Sequence, residues 1–208
     1  MMSNMKMQSK LLMCFVMVVS LFFTGLSFAA NTPPQTETAI FAGGCFWCMQ
    51  EDFDQVKGVV HTTAGYTGGT QKNPTYEEVS AGITGDYESV KVEYDPSVIS
   101  YPQLLQVFWH DIDPTDPNGQ FCDKGAQYRA VIFYSKPQQQ QAASLSKQQL
   151  IASGRFKEIV TQILPATPFY PAETYHQEYY KKNPLHYKFY RYTCGRDQRL
   201  KQVWGTSS

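Results

Sequence analysis

The sequence has no excess of charge of either sign and few charged residues of any kind. Its 208 residues include 18 Lys and Arg against 18 Asp and Glu, so the formal net charge is zero. Without a basic excess there is little to neutralise a phosphate backbone, which argues against nucleic acid as a partner. Charged residues make up 17% of the chain and hydrophobic residues 42%, a composition too apolar for a disordered chain. We therefore expect a globular domain with a sizeable core.

Apart from one segment near its start, the chain lacks long hydrophobic runs. Residues 11–23 are almost uninterruptedly apolar, follow Lys6 and Lys10, and precede Ser-Phe-Ala at 27–29. A positive start, a short apolar run and small residues at the cleavage positions are typical of a secretory signal peptide. The run is short for a membrane span, so an uncleaved anchor is the weaker alternative. We predict cleavage of residues 1–29 and export, most simply to a bacterial periplasm.

The sequence also lacks a second Cys-x-x-Cys and any histidine pair at ligand spacing, so no metal site is expected. Cleavage of the signal peptide would leave four cysteines, at positions 45, 48, 122 and 194. In an exported protein such cysteines can persist as disulfides.

Hydrophobic periodicity and turn residues predict one α+β domain over residues 38–205, preceded by a flexible leader at 30–37. A capping box at Ser100 and a proline in the first turn mark the start of one helix. Strands are expected at 38–42, 59–66, 88–94, 128–134 and 159–164, and helices at 45–58, 101–110 and 137–154. Residues 67–87 and 111–124 are predicted to be loops, and the C-terminal part to be irregular.

Cys45 follows a predicted strand and two glycines, at the predicted start of a helix. Unpaired backbone N–H groups and the helix dipole favour the thiolate there, which is the nucleophilic form. A structural disulfide between Cys45 and Cys48 would close a very small loop and add little stability. The context therefore predicts a nucleophilic or redox role for Cys45.

Glu88 begins a strand in which Val90 and Val92 share its face. A carboxyl on that buried face would have a raised pKa and would keep its proton near neutral pH. Alternatively, Glu88 caps the strand at a solvated edge.

Several ordered motifs of this chain closely resemble those of the peptide methionine sulfoxide reductase A family. They are segments 41–48 (FAGGCFWC), 65–69 (GYTGG), 73–76 (NPTY), 94–96 (YDP), 125–129 (GAQYR) and 175–177 (YHQ). The resemblance runs from about Ala39 to Gly205. It implies a two-layer α+β domain with a ferredoxin-like mixed sheet.

The resemblance also implies the reaction, which is thiol-dependent reduction of methionine S-sulfoxide in proteins and thus repair of oxidised proteins; the sequence leaves open whether free methionine sulfoxide is also a substrate. Cys45 would become a sulfenic acid and then enter an intramolecular disulfide. The implied acid is Glu88; Tyr76 and Tyr128 would hydrogen-bond the sulfoxide oxygen, although Tyr128 on its own would be a buried core residue. The implied substrate-binding residues are Phe46, Trp47, Asp123, His176 and Tyr179.

The motifs leave open which cysteine resolves the sulfenic acid, that is, condenses with it to form the disulfide. Cys194 is favoured over Cys48, because the sulfenic acid forms inside the pocket and needs an approach from outside the helix. The family also commonly keeps this cysteine in its C-terminal segment, although Cys194 follows its Asn-Pro at an unusual distance. We assign no role to Cys122. No bound cofactor is expected; the resemblance implies an external thioredoxin-like dithiol as reductant, which after export must act outside the cytoplasm. We expect a monomer without a stable membrane span.

Two other functions compete with this one. An exported thiol–disulfide oxidoreductase could use Cys45 and Cys48, but would have no use for a buried proton donor. A peptide-binding module could keep its cysteines for structure alone. The density of motifs favours the reductase.

Overall fold

A computed structural model of the chain describes residues 35–205. The predicted signal peptide, residues 1–29, lies outside the described residues, as does most of the leader. Within the described range the strands are β1 (Glu37–Ala42), β2 (Val59–Thr67), β3 (Tyr87–Tyr94), β4 (Gly119–Gln120), β5 (Asp123–Lys124), β6 (Val131–Tyr134), β7 (Gln162–Pro165) and β8 (Tyr170–Pro171). The helices are α1 (Phe46–Asp54), α2 (Tyr76–Ser80), α3 (Tyr101–His110), α4 (Pro137–Ala152), α5 (Tyr179–Lys182), α6 (Pro184–Cys194) and α7 (Arg196–Trp204).

Six of the strands form one mixed sheet in the order β7-β6-β1-β3-β2-β8. Its pairs are antiparallel except for β6 and β7, which run parallel. The predicted α+β domain with a mixed sheet is confirmed. Since β1 and β3 are central, the segment after β1 and the first residues of β3 lie side by side, which brings Cys45 and Glu88 together.

The main core lies between the sheet and helices α1 and α3. The ring of Phe41 stacks on Phe53 of α1 at 5.1 Å and on Phe108 of α3 at 5.0 Å between centroids. All three side chains are fully buried. Burying each contributes on the order of 2–3 kcal/mol, so α1 is held firmly on the sheet behind the site.

Helix α3 begins where its sequence predicts. The backbone N–H of Ser100 donates to the Gln103 side chain at 2.9 Å, and Pro102 occupies the first turn. This pairing satisfies a backbone donor that the helix itself leaves without a partner.

Both predicted loops contain short regular elements. Residues 67–87 include α2, which is capped by Thr75: its N–H donates to the Glu78 carboxylate at 2.9 Å. This Thr-x-x-Glu signature was present in the sequence and was overlooked. The segment 111–124 contains the β4–β5 hairpin, which is too short for a periodic pattern to reveal.

Tyr128 does not lie on a strand, contrary to prediction. Gly125 has a φ of 136°, and the chain then makes a 3₁₀ turn over Ala126–Tyr128 before β6 begins at Val131. The backbone conformation at Gly125 favours glycine and breaks the extended pattern. Similarly, the predicted strand at 159–164 begins only at Gln162.

The predicted irregular C-terminal segment is wrong, because this part of the chain contains three helices. Pro184 is the first residue of α6, and Gly195, with φ 70°, separates α6 from α7. Proline at a first turn and left-handed glycine at a helix end are normal signals. Large hydrophobic residues on the exposed face of α6 (Leu185, Phe189, Tyr192) hid its amphipathic pattern. Among the described helices, none combines the length and apolar character that crossing a membrane requires.

Candidate active site

Cys45 lies where β1 turns into α1, as the residue that precedes the first turn of the helix. The turn passes through Gly44, whose φ is 88° and where a Cβ would come within 2.8 Å of the Gln120 Cβ. Only glycine fits this position comfortably. Cys45 is 7% exposed. The predicted position of Cys45 at the start of a helix is confirmed.

Glu88 is the buried carboxyl beside it. The side chain is 2% exposed, and its Oε2 accepts the backbone N–H of Phe46 at 3.0 Å. Burial raises the pKa of Glu88 to about 8, although the Phe46 N–H opposes that rise; the nearby charge of Asp123 adds to it. The prediction that Glu88 faces the buried side is confirmed, and its carboxyl is largely protonated at neutral pH.

The sulfurs of Cys45 and Cys48 are in contact, and both thiols are free and buried. Burial raises the pKa of Cys45 well above its usual range, and the hydrogen bond to Cys48 and the carboxyl groups of Glu88 and Asp123 act in the same direction. The Cys45 hydrogen bond lowers the pKa of Cys48. Cys48 is therefore the more acidic of the two thiols. This differs from the expectation from helix position alone, which places the thiolate on Cys45.

Besides the hydrogen bond from Cys45, two arginines make Cys48 the more acidic thiol. Arg196 and Arg191 both lower the pKa of Cys48. Arg196 is 1% exposed; it donates to the Gly43 carbonyl at 3.2 Å and pairs with the Asp111 carboxylate at 2.8 Å. Arg191 pairs with Asp52 at 2.9 Å. Because cations surround one cysteine and carboxyl groups the other, the two sulfurs have different electrostatic environments.

Two phenols complete the polar side of the site. Tyr76 and Tyr128 are both partly buried, and burial is the main reason that the pKa of each is raised, while the neighbouring Glu88 and Cys45 act in the same direction. For Tyr76, mainly through burial, the pKa rises to about 12. Both phenols are therefore neutral hydrogen-bond donors near the same carboxyl and thiol. The structure brings them together as predicted from the resemblance.

Aromatic rings form the apolar wall. The Trp47 indole stacks on Tyr179 at 3.8 Å between centroids and donates its Nε1–H to His176 Nδ1 at 2.9 Å. The Phe46 ring lies 5.0 Å from the His176 ring, and the Tyr76 ring 4.3 Å. Burial lowers the pKa of His176, so the ring is neutral. Since Nδ1 accepts from Trp47, the ring proton is on Nε2.

The Nε2 of His176 is buried and has no hydrogen-bond partner within residues 35–205. A surface histidine is the commoner expectation for a Tyr-rich segment, but His176 is only 1% exposed. The Gln177 side chain anchors the segment, since it accepts the Ala64 N–H at 2.9 Å and donates to the Ala64 carbonyl at 2.8 Å. A buried donor without a partner, held this firmly, is suited to a ligand.

Asp123 contacts the site through Tyr190. The Tyr190 hydroxyl donates to Asp123 Oδ2 at 2.6 Å and lies within hydrogen-bonding reach of the Cys45 sulfur. Burial raises the pKa of Asp123, while Tyr190 and Arg196 oppose the rise. Tyr190, Arg196 and Arg191 were not predicted as site residues. They come from α6 and α7, and no short-range pattern links them to Cys45.

Cys194 is not bonded to Cys45. It forms a disulfide with Cys122, with an S–S distance of 2.07 Å and a sequence separation of 72. The Cys194 sulfur also lies 3.9 Å from Asp123 Oδ2. The resolving role of Cys194 stays a prediction, and Cys122 has gained a partner that the sequence did not reveal.

Comparisons with known proteins agree with this geometry. The family model described as peptide methionine sulfoxide reductase matches residues 37–208. A protein of Bacillus subtilis (strain 168) named peptide methionine sulfoxide reductase MsrA is 53% identical over 170 residues, which cover 81% of this chain and 96% of the relative. MsrA 2 of Caulobacter vibrioides is 50% identical over 181 residues, covering 87% and 92% of the two chains.

Solved structures show the same fold. Methionine sulfoxide reductase A of Corynebacterium diphtheriae is 37% identical with a TM-score of 0.65, over 74% of this chain and 78% of the other. The reduced form of Mxr1 from Saccharomyces cerevisiae is 31% identical with a TM-score of 0.67, over 74% and 88%.

Proposed function

Because the chain belongs to the peptide methionine sulfoxide reductase A family, we propose that Cys45 and Glu88 together remove the sulfoxide oxygen from oxidised methionine. The enzyme is a peptide-methionine (S)-S-oxide reductase. One observation supports these roles above the others: a buried carboxyl with a pKa of about 8 accepts the N–H of the residue next to Cys45.

Substrate binding uses both sides of the site. A sulfoxide is neutral, with a polar S–O bond and an apolar methyl group. Phe46 and Trp47 offer apolar surface for the methyl group, while Tyr76 and Tyr128 donate to the oxygen. The free Nε2–H of His176 is a further donor for the substrate, and the stacked Tyr179 holds Trp47 in place.

The first chemical step transfers oxygen from substrate to enzyme. Cys45 attacks the sulfoxide sulfur, while its proton passes to Cys48 in the thiolate form, which Arg196 and Arg191 favour. Glu88 donates its proton to the sulfoxide oxygen, which stabilises the charge that develops there. Methionine leaves as the oxygen moves to Cys45 as a sulfenic acid. The sulfoxide is reduced by two electrons and Cys45 is oxidised by two.

The second step forms a disulfide and releases water. We propose Cys48 as the first thiol to condense with the sulfenic acid, because its sulfur already contacts Cys45 while Cys194 is bonded elsewhere. The Cys48 sulfur attacks Cys45, the S–O bond breaks, and the hydroxide leaves as water with the Cys48 proton. Asp123 and Tyr190 position Cys45 through their shared hydrogen bonds.

We further propose that the enzyme acts outside the cytoplasm, in a periplasm, on oxidised proteins, with a thioredoxin-like dithiol protein as reductant. The apolar run at 11–23 and its flanks support export. The apolar walls around Cys45 support a methionine side chain, exposed on a protein or free, as substrate.

The proposal is tested by single turnover of the reduced protein on a peptide with separated sulfoxide epimers. Glu88→Gln keeps size and a hydrogen-bond acceptor but cannot supply the proton, so methionine formation should slow by about 10²–10⁴-fold. Cys45→Ser, the matched control, should form no methionine. Equal rates for wild type and Glu88→Gln would contradict the role of Glu88. Absence of methionine from the wild type, with disulfide exchange retained, would favour a thiol–disulfide oxidoreductase.

A further inference from the structure

Glu173 is a carboxyl group that the proposed reaction does not use, although its hydrogen bonds reach two sides of the active site. It follows β8, at the start of the turn that carries His176, and its side chain is half-buried. Its Oε1 accepts the backbone N–H of Tyr76 at 2.9 Å, and its Oε2 accepts the Tyr66 hydroxyl at 2.8 Å. One side chain therefore joins β2, α2 and the segment of His176.

The bond to Tyr66 connects Glu173 with the acid and with the apolar wall. Tyr66 is fully buried on β2 and lies directly opposite Glu88 in the pairing of β2 with β3. The Tyr66 ring is 5.9 Å from the Phe46 ring between centroids. The Oε2 end of Glu173 is therefore fixed to the part of the sheet that holds Glu88.

The bond to Tyr76 determines where α2 begins. Tyr76 is the first residue of this helix, where the helix itself leaves the backbone N–H without a partner. With five residues, α2 forms few internal hydrogen bonds, so its position depends on contacts with the rest of the protein. The carbonyl of Glu173 also accepts the His176 N–H at 2.9 Å. Glu173 thus holds the backbone of both donors, Tyr76 and His176.

Glu173 differs from Glu88 in charge. Burial tends to raise the pKa of Glu173, but hydrogen bonds from its own N–H, the Tyr76 N–H and the Tyr66 hydroxyl lower it below its ordinary value. Glu173 is therefore a carboxylate at neutral pH, whereas Glu88 is largely protonated. A carboxylate is a hydrogen-bond acceptor at both oxygens, so Glu173 can hold both of its partners at once.

We propose that Glu173 is a positioning residue for the reduction, which fixes the phenol of Tyr76 relative to Glu88 so that it donates to the sulfoxide oxygen. This inference rests on the proposed function, because it begins from the role that Tyr76 has there. Glu173 acts through Tyr76 and takes no part in the transfer of protons or electrons.

The position of Tyr76 matters because the sulfoxide oxygen gains negative charge as the S–O bond breaks. A donor stabilises that charge only from hydrogen-bonding distance of the oxygen. A misplacement of about 1 Å can slow an enzymatic reaction about 100-fold. Since this hydrogen bond is stronger in the transition state than with bound substrate, loss of Glu173 should lower the rate of the chemical step. The peptide concentration that gives half the maximal rate should change less.

A purely structural role is the competing explanation, and a double-mutant cycle with Tyr76→Phe separates the two. Methionine formation is measured in single turnover on a saturating methionine S-sulfoxide peptide. Glu173→Ala should slow it about 10–100-fold in the wild-type background. In the Tyr76→Phe background it should slow it less than about threefold, because the hydroxyl that Glu173 positions is already absent.

The possible outcomes of this cycle are distinct. Equal slowing by Glu173→Ala in both backgrounds would overturn the positioning role and leave the proposed function intact. Absence of methionine from the wild type would overturn the proposed function itself. Glu178→Gln is the matched control, since it removes a carboxylate from the same segment that pairs with Lys181 at the surface. Its rate should equal that of the wild type.

A conservative variant keeps the test decisive if Glu173→Ala does not fold, which near-ultraviolet circular dichroism detects. Glu173→Gln keeps the size of the side chain, but its amide oxygen can accept only one of the two donors. It should slow methionine formation about threefold in the wild-type background and leave the rate of Tyr76→Phe nearly unchanged. Equal rates for wild type and Glu173→Gln would overturn the proposal.

Discussion

The molecule contains two cysteine pairs in opposite settings. Cys45 and Cys48 are buried thiols between a protonated carboxyl on one side and arginines on the other. Cys122 and Cys194 form a disulfide between a hairpin tip and a helix end, with Cys122 exposed. The comparison shows that the surrounding side chains, and not the helix or hairpin on which a cysteine lies, decide its reactivity. The Cys45–Cys48 pair lies among groups suited to a small neutral sulfoxide, whereas the Cys122–Cys194 pair joins two surface elements.

The largest effect in this comparison should come from pH, because only the Cys45–Cys48 pair has a buried carboxyl, that of Glu88, beside it. The pKa of Glu88 is raised to about 8, so its acid form predominates below that pH and disappears above it. Single-turnover methionine formation should therefore fall about tenfold per pH unit above roughly pH 8. Stopped-flow or quench measurements across this range check the slope. Exchange between Cys122–Cys194 and a small thiol should show no such decline, since it needs no acid.

A smaller effect should follow from Arg196→Met. The substitution removes a cation that lowers the pKa of Cys48, so less thiolate is present at neutral pH. We expect formation of the Cys45–Cys48 disulfide to slow severalfold, because the thiol is a weaker nucleophile than the thiolate.

The ultraviolet absorbance of the thiolate, titrated on the folded protein, checks the cause. Arg199→Met is the matched control, because Arg199 is half exposed and pairs with Asp113 at 2.7 Å instead. An unchanged titration in Arg196→Met would contradict the role of Arg196 in lowering the pKa of Cys48.

Reduction of the Cys122–Cys194 disulfide should have the smallest effect on methionine formation but a clear effect on the free energy of unfolding. The bond links residues 72 positions apart, so it restricts the unfolded chain and adds about 4 kcal/mol in the loop-closure model. Denaturant unfolding of the protein before and after mild reduction checks the difference.

A disulfide between Cys45 and Cys48 would constrain only a very small loop. Cys122→Ser/Cys194→Ser should therefore unfold at nearly the same denaturant concentration with and without reductant. A large shift in this double variant would show that the Cys45–Cys48 pair also has a structural role.

Residues whose role depends on local pattern were predictable. Cys45 at a helix start after two glycines, Glu88 on the buried face of β3, and the capped start of α3 all follow from neighbours within a few positions. Tyr128 was misplaced because one glycine ended the extended pattern before it.

The remaining site residues depend on tertiary contacts that one sequence does not contain. Tyr190 and Arg196 reach the site only because α6 and α7 fold back beside α1. For the same reason the bond between Cys122 and Cys194 could not be predicted, since their separation in sequence says nothing of their distance in space. The lowered pKa of Cys48 likewise depends in part on these two helices, which supply Arg191 and Arg196.

The central claim is that Glu88 holds a proton beside Cys45 at neutral pH. Infrared difference spectra of wild type and Glu88→Gln test it directly, because a protonated carboxyl and a carboxylate absorb at different frequencies. We predict a protonated carboxyl band in the wild type at pH 7 that is absent from Glu88→Gln and disappears as the pH rises past about 8. A carboxylate band for Glu88 at pH 6 would contradict the account.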